Sequence, residues 1–448
     1  MPRDNVTSLS KRLSDNYRCA EIAFPSGYVF DANVSRRLGV LKHLMGAGRL
    51  ECGNQPSAFV PADVAQMVDD LRCERYTADW RHGEPLSSLA KLYYLLRPLL
   101  PVSVRRHLQR IHLRGWENLQ FPAWPLDSSV DELLEDALLA AMQASGVSQV
   151  PFIWFWPEGA SSCATMTHDV ESKRGRDFCG SLMRLDNSFG IKASFQLIPE
   201  GRYEIDKELL RTICDEGFEV VIHDLNHDGH LYMNRSEFRK RAQRINAYGK
   251  KYHAEGFRAG VLYRKQLWYE DLDFSYDMSV PNVAHLDPQH GGCCTVMPYF
   301  IGDILELPVT TTQDYTLFNI LNDYSTDLWR QQVRLLMKKH GLMSFIIHPD
   351  YIMGRREEAV YVELLEHLRQ LKTTERVWIA LPGEVNQWWR QRAKMTLVAE
   401  EDGWRINGEG SERARVAYAK IKNGRLVLSE PGGAVDRSVA INTVAPVC

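Results

Sequence analysis

A chain of 448 residues exceeds the usual size of one domain, so a core carrying added segments at both ends is expected. With 44% hydrophobic and 25% charged residues the composition is that of a globular protein able to bury a core, which excludes a disordered or fibrous chain. A formal net charge of -3 gathers no polyanion, so nucleic acid is not a favoured partner, and small molecules or glycans stay open.

The first 150 residues read as an irregular, partly helical extension punctuated by Gly and Pro. The opening run MPRDNVTSLSKRLSDNYR has no apolar h-region, and no stretch approaches the roughly 18 apolar residues of a membrane span. A cytoplasmic protein is therefore expected. The nine cysteines are scattered and include no C-x-x-C pair, which argues against a disulfide framework. Residues 91–114 combine Leu, Tyr and Val with Arg97, Arg105, Arg106, Arg110 and Arg114. A basic amphipathic helix of this kind could lie peripherally on the inner face of a membrane, whereas Pro98 and Pro101 favour a plain surface segment. The run FPAWPLD at 121–127 reads as a linker, 131–145 as a helix packing on the core, and PFIWFWPEG at 151–159 as core rather than a sugar cleft.

From Ser161 to about Trp389, short apolar runs alternate with amphipathic stretches, the runs being CATMTHD, KASFQLI, EVVIH, GFRAG, FSYDMSV, DILELPV, MSFIIH and VWIALP. Helices are expected at 235–252, 326–340 and 355–372, the second opening on the capping residues Ser325, Thr326 and Asp327. About eight βα units in such a span predict an α/β fold with a parallel (β/α) barrel. The domain limits expected are thus 1–150, 151–394 and 395–448. In the last, the pairs Asp402-Gly403 and Asn423-Gly424 between alternating runs predict a small antiparallel β module at about 395–435.

Chemically capable residues stand where the predicted strands end. Asp169 and Glu171 follow CATMTH, His223 and His227 follow EVVI, Arg258 lies in GFRAG and His348 closes MSFII. In α/β barrels those ends converge on one face, where active sites are built. Two neutral imidazoles in an H-x-x-x-H pair can reach one divalent ion, and a carboxylate would complete the set. Residues two apart on an extended segment point the same way, so Asp169 and Glu171 share a side and Val170 turns into the packing. One can bind a metal while the other acts as a base. Each signal taken alone is a common structural feature; their joint occurrence in four segments is what carries weight.

The ordered set Thr167-His168-Asp169-Val170-Glu171, Gly217-Phe218-Glu219 leading to His223 and His227, Phe257-Arg258-Ala259-Gly260, and Ile346-Ile347-His348-Pro349 resembles the successive motifs of polysaccharide deacetylases, the NodB-homology or carbohydrate esterase family 4 type. The resemblance implies a distorted (β/α)7 barrel and a divalent-metal hydrolase that removes acetyl groups from an N- or O-acetylated sugar or glycan. It makes Asp169 the catalytic base, Arg258 the arginine paired with it and His348 the general acid. His223, His227 and Glu171 become the metal ligands, with Zn²⁺ expected and Co²⁺ or Mn²⁺ as alternatives. Asp314 in Gln313-Asp314-Tyr315 matches the fourth motif loosely. Val170 occupies a position where many members have a second aspartate, and Gly260 stands where a proline is usual. With a cytoplasmic chain, the activity would serve intracellular polysaccharide or glycoconjugate biosynthesis. Two other readings are a C–N hydrolase on a small non-sugar amide, as in the allantoinase-like branch of the superfamily, and a sugar-binding or scaffold member without turnover. The pattern gives no signal for an oligomeric state.

Overall fold

The computed structural model describes residues 64–77, 111, 113–144, 146–401 and 403–431. Nearly all of the basic stretch 91–114 lies outside them. Among the described residues there are fourteen strands, of which β2 (Cys163–Val170), β3 (Ala193–Leu197), β4 (Glu219–His223), β5 (Gly256–Arg258), β6 (Tyr276–Asp277), β8 (Ile304–Glu306) and β9 (Leu342–Ile347) form a curled parallel sheet in the order β9-β2-β3-β4-β5-β6-β8. β7 (Tyr299–Ile301) is antiparallel on the edge beyond β8. Every residue of β2, β3 and β9 is buried, as expected of parallel strands covered on both faces.

Seven parallel strands, not eight, make the barrel. The eighth predicted run supplies only β10 (Trp378–Ile379), which pairs with the first two residues of β2 before β3 begins. Between β8 and β9 the backbone ladder is missing, and side chains take its place. Thr310 Oγ1 donates to the Leu342 carbonyl at 2.6 Å and Thr311 Oγ1 to the Ser344 carbonyl at 2.7 Å. The barrel is thus distorted at this seam, which side-chain hydrogen bonds bridge.

The helices between the strands are α3 (Lys173–Ser188), α4 (Lys207–Asp215), α5 (Arg235–Tyr252), α6 (Asp327–Lys338), α7 (Arg355–Thr374) and α8 (Pro382–Lys394). Ser172, Asp206 and Asn234 cap α3, α4 and α5 by accepting from backbone N–H groups three residues on. Thr326 precedes α6 without capping it, because its hydroxyl donates to Glu363 instead.

The two flanks are tied into the barrel. In the extension, α1 (Val64–Arg72) packs against α2 (Ser129–Ala144), and Glu74 forms a buried bidentate pair with Arg264 on the loop after β5. The expected linker at 121–127 is pinned: Asn282 exchanges hydrogen bonds with the backbone of Asp127, and Trp124 stacks on His285. The Pro and Trp residues there serve packing. At the other end two separate hairpins replace a single module. β11 (Thr396–Glu400) pairs with β12 (Gly403–Asn407), whereas β13 (Val416–Lys422) and β14 (Arg425–Ser429) take β1 (Gln149–Ile153) as a third strand. Asn423 and Gly424 both have positive φ, the geometry of a two-residue hairpin turn. The aromatic run after β1 is core, with Trp154, Trp156 and Phe155 buried and Arg392 donating to the Ile153 and Trp154 carbonyls.

Candidate active site

β2 and the residue that follows it deliver three inward side chains by simple alternation. Thr167, Asp169 and Glu171 face the barrel mouth, while Val170 is fully buried and His168 turns outward to Asp186 at 2.8 Å. Asp169 is fixed by Arg258, whose Nη1 donates to Asp169 Oδ1 at 2.5 Å. Arg258 is itself fully buried and held by the Met278 carbonyl at 3.0 Å and Thr167 Oγ1 at 2.8 Å.

His223 ends β4, and its Nδ1 lies 3.2 Å from the Arg258 carbonyl. A carbonyl only accepts, so Nδ1 carries the hydrogen and Nε2 keeps its lone pair. The chain then turns through left-handed conformations at Asp224 and His227, φ 57° and 54°, which brings the second ring back beside the first, 4.8 Å between centroids. Both Nε2 atoms are buried without a hydrogen-bond partner. Glu171 Oε1 lies 3.0 Å from His227 Nε2, off the direction a hydrogen bond requires. Ligand atoms of Glu171, His223 and His227 all fall within 4.8 Å of one another, the arrangement of three protein donors to one cation. Two buried ring nitrogens without a hydrogen-bond partner, grouped with a carboxylate, fit a divalent ion. Asp169 stands outside this group, its Oδ2 3.7 Å from His223 Nε2.

His348 follows β9 on the opposite side. Its Nδ1 lies 2.6 Å from Asp314 Oδ1, and its backbone N–H donates to Asp314 Oδ2 at 2.7 Å. Nε2 then faces Glu171 Oε1 at 3.6 Å. All six residues expected at the site are therefore brought to one mouth. Sequence reasoning left Asp314 as a loose match and did not single out Thr167 or Asp224. A clue to Asp314 was its place just after the β8 run, where an acid can reach the next strand end.

The electrostatics differ from group to group. Burial opposes charge on Asp169, but Arg258 and His223 overcome it and hold the carboxyl below its usual range. At Glu171 burial is likewise outweighed, by His227 and His348, and the carboxyl falls well below its usual value. Burial drives His223 down to about 4, so its ring is neutral near pH 7. His348 goes the other way: burial disfavours its charge, yet Asp314 and Glu171 raise it well above the usual imidazole range. One imidazole is set to offer a lone pair and another to offer a proton.

Fold and site together define a parallel (β/α) barrel with a Glu-His-His cluster, an Asp-Arg pair and an Asp-His pair on the carboxyl-end face. Solved structures similar to the chain include a Mycobacterium smegmatis protein assigned as a polysaccharide deacetylase, with a TM-score of 0.43, 18% identity, and 53% of this chain and 93% of that one covered. The Puue allantoinase is similar at a TM-score of 0.40 and 13% identity, over 52% and 92% of the two chains. A family 4 carbohydrate esterase from Streptomyces lividans, in complex with acetate, is similar at 0.32 and 13%, over 49% and 92%. No protein-family model and no curated protein matches the chain.

Proposed function

We propose that the protein is a metal-dependent deacetylase acting on an N- or O-acetylated sugar. The observation that carries the reading is the pair of buried imidazole nitrogens, His223 Nε2 and His227 Nε2, grouped with Glu171 and flanked by an ionised carboxylate on one side and a proton-bearing imidazole on the other. Held by Glu171, His223 and His227, a divalent ion (Zn²⁺, with Co²⁺ or Mn²⁺ as alternatives) would supply polarisation of the acetyl carbonyl and a water of lowered pKa. The motif order along the chain supports the sugar deacetylase class within that chemistry.

The chain's own residues divide the proton transfers. Arg258 occupies Asp169 Oδ1 and leaves Oδ2 to accept the proton of the attacking water. His348, kept protonated by Asp314, donates from Nε2 to the departing amine or alcohol. Burial of Arg258 and Asp169 keeps this pair out of bulk water, which strengthens its hold on the base.

The test is acetate release from a panel of N- and O-acetylated sugars by protein supplied with Zn²⁺, Co²⁺ or Mn²⁺. Release is expected to vanish after chelation and to return with metal. Release that persists in fully chelated protein, or turnover confined to small non-sugar amides, would refute the assignment.

A further inference from the structure

Asp224 stands directly after His223 and has no part in the chemistry above. It is 0% exposed. Its Oδ1 accepts the Leu225 N–H at 2.6 Å, but Oδ2 is buried with no hydrogen-bond partner. A carboxylate oxygen in that condition costs stability unless something else compensates its charge. The backbone accepts a further cost to place it, since Asp224 has φ 57°.

The space around that oxygen is kept open by Gly260. A Cβ on Gly260 would lie 2.5 Å from Asp224 Oδ2, 3.0 Å from His227 Cδ2 and 3.2 Å from His227 Cγ. Asp224 Oδ2 and the His227 ring thus converge on one point, which only a residue without a side chain leaves free. Gly260 does not have positive φ, so close approach, not backbone freedom, is what calls for glycine here. Asp224 is also anchored through its N–H to the Arg258 carbonyl at 2.8 Å, the same oxygen that takes the His223 ring hydrogen.

We propose that Asp224 raises the affinity of the Glu171-His223-His227 site for a divalent cation, its free carboxylate oxygen being held against the His227 ring in a space that Gly260 keeps open. The idea rests on the metal-site reading. Its logic is that a carboxylate with no partner of its own is stabilised when positive charge arrives on the neighbouring imidazole, and returns that stabilisation as affinity. Asp224 is a positioning and charge-supplying residue here, one step removed from the cation.

The experiment measures Zn²⁺ affinity by competition with a chromophoric chelator, on metal-stripped full-length protein. Asp224→Asn keeps the shape and removes the charge, and is expected to weaken binding by roughly 10–100-fold, the usual cost of losing a carboxylate behind a ligand. Gly260→Ala should weaken it as well, by displacing Asp224 and His227. In the Asp224→Ala background, where the clashing oxygen is gone, Gly260→Ala should cost much less than it does alone. Thermal melting of the metal-free proteins separates this from a structural role, since Asp224→Asn should leave the melting temperature unchanged or raise it. Wild-type affinity in Asp224→Asn, equal costs of Gly260→Ala in both backgrounds, or a lowered metal-free melting temperature in Asp224→Asn would each overturn the proposal while leaving the metal site standing. Absence of measurable Zn²⁺ binding by the wild-type protein would instead overturn both.

Discussion

Replacing Arg258 by methionine keeps an unbranched apolar stem of similar reach and removes the guanidinium. The structure sets what is lost: a fully buried cation with three hydrogen bonds to N- or O-containing partners, among them the 2.5 Å contact to Asp169. Asp169, 3% exposed, would remain without its main counter-charge. Removing one partner of a buried ion pair costs roughly 3–5 kcal/mol, because the other charge stays uncompensated. For a chain of this size that corresponds to a fall in Tm of roughly 3–5 °C. The pH dependence follows from the direction of the shift. In the wild type Asp169 lies below its usual range, so its contribution is present above the unfolded value of 3.8 and fades as pH falls. Without Arg258 the same carboxyl is raised by burial, so the variant loses stability as pH rises through that value. The gap between the two proteins should therefore be widest near pH 7 and close toward pH 4. Thermal unfolding at both pH values measures it, and Arg258→Met/Asp169→Asn should recover most of the loss without recovering turnover. A single variant as stable as the wild type at pH 7, or a double variant no better than the single, would refute the reasoning.

Further outcomes are expected at the site and away from it. Glu171→Gln should lose bound metal by elemental analysis, whereas Asp169→Asn should retain it and lose turnover; the reverse pattern would exchange their roles. His348→Ala should lower kcat by roughly 10²–10⁴-fold on an amide with little change in KM, and by much less on an activated ester, whose leaving group needs little protonation. Asp314→Asn removes the charge that raises His348, so the alkaline limb of the kcat–pH profile should move to lower pH; an unmoved limb would exclude His348 as the titrating acid. Glu219, pushed up to about 7 mainly by burial, binds a proton more tightly folded than unfolded, so its contribution to stability is lost as pH rises from about 4.5 through 7. Denaturant unfolding of Glu219→Gln should show that slope reduced, by on the order of 1–3 kcal/mol between pH 5 and 8.

The barrel strands were legible because strands buried on both faces announce themselves as largely apolar runs, and α5 because its pattern marked the whole of 235–252 as helical. The hairpin at Asn423-Gly424 was legible from turn chemistry alone. What escaped depends on distant partners. Nothing local in Gln149–Ile153, with Pro151 in its middle, says that it will pair with Val416–Lys422. The seam at Thr310 and Thr311 looks like a polar loop in sequence, because closure there uses hydroxyls in place of a backbone ladder. At the site, alternation on β2 placed Asp169 and Glu171 on one side, but their division of labour was hidden. It emerges only when Arg258 from β5 claims Asp169 and the His227 turn reaches Glu171.

Arg258 explains why the two halves of the site keep register. Its guanidinium fixes Asp169 and Thr167 from β2, while its carbonyl accepts from both the His223 ring and the Asp224 N–H. One residue on a three-residue strand thus sets both the orientation of the candidate base and the tautomer of a candidate ligand. His348 has no such link to the ligand histidines; its side chain answers to Asp314 and meets the cluster only across 3.6 Å at Glu171. Loss of Arg258 should therefore disturb metal content and turnover together, whereas loss of His348 should leave metal in place. The two variants give different signatures because β5 is wired to both halves of the site and β9 to one.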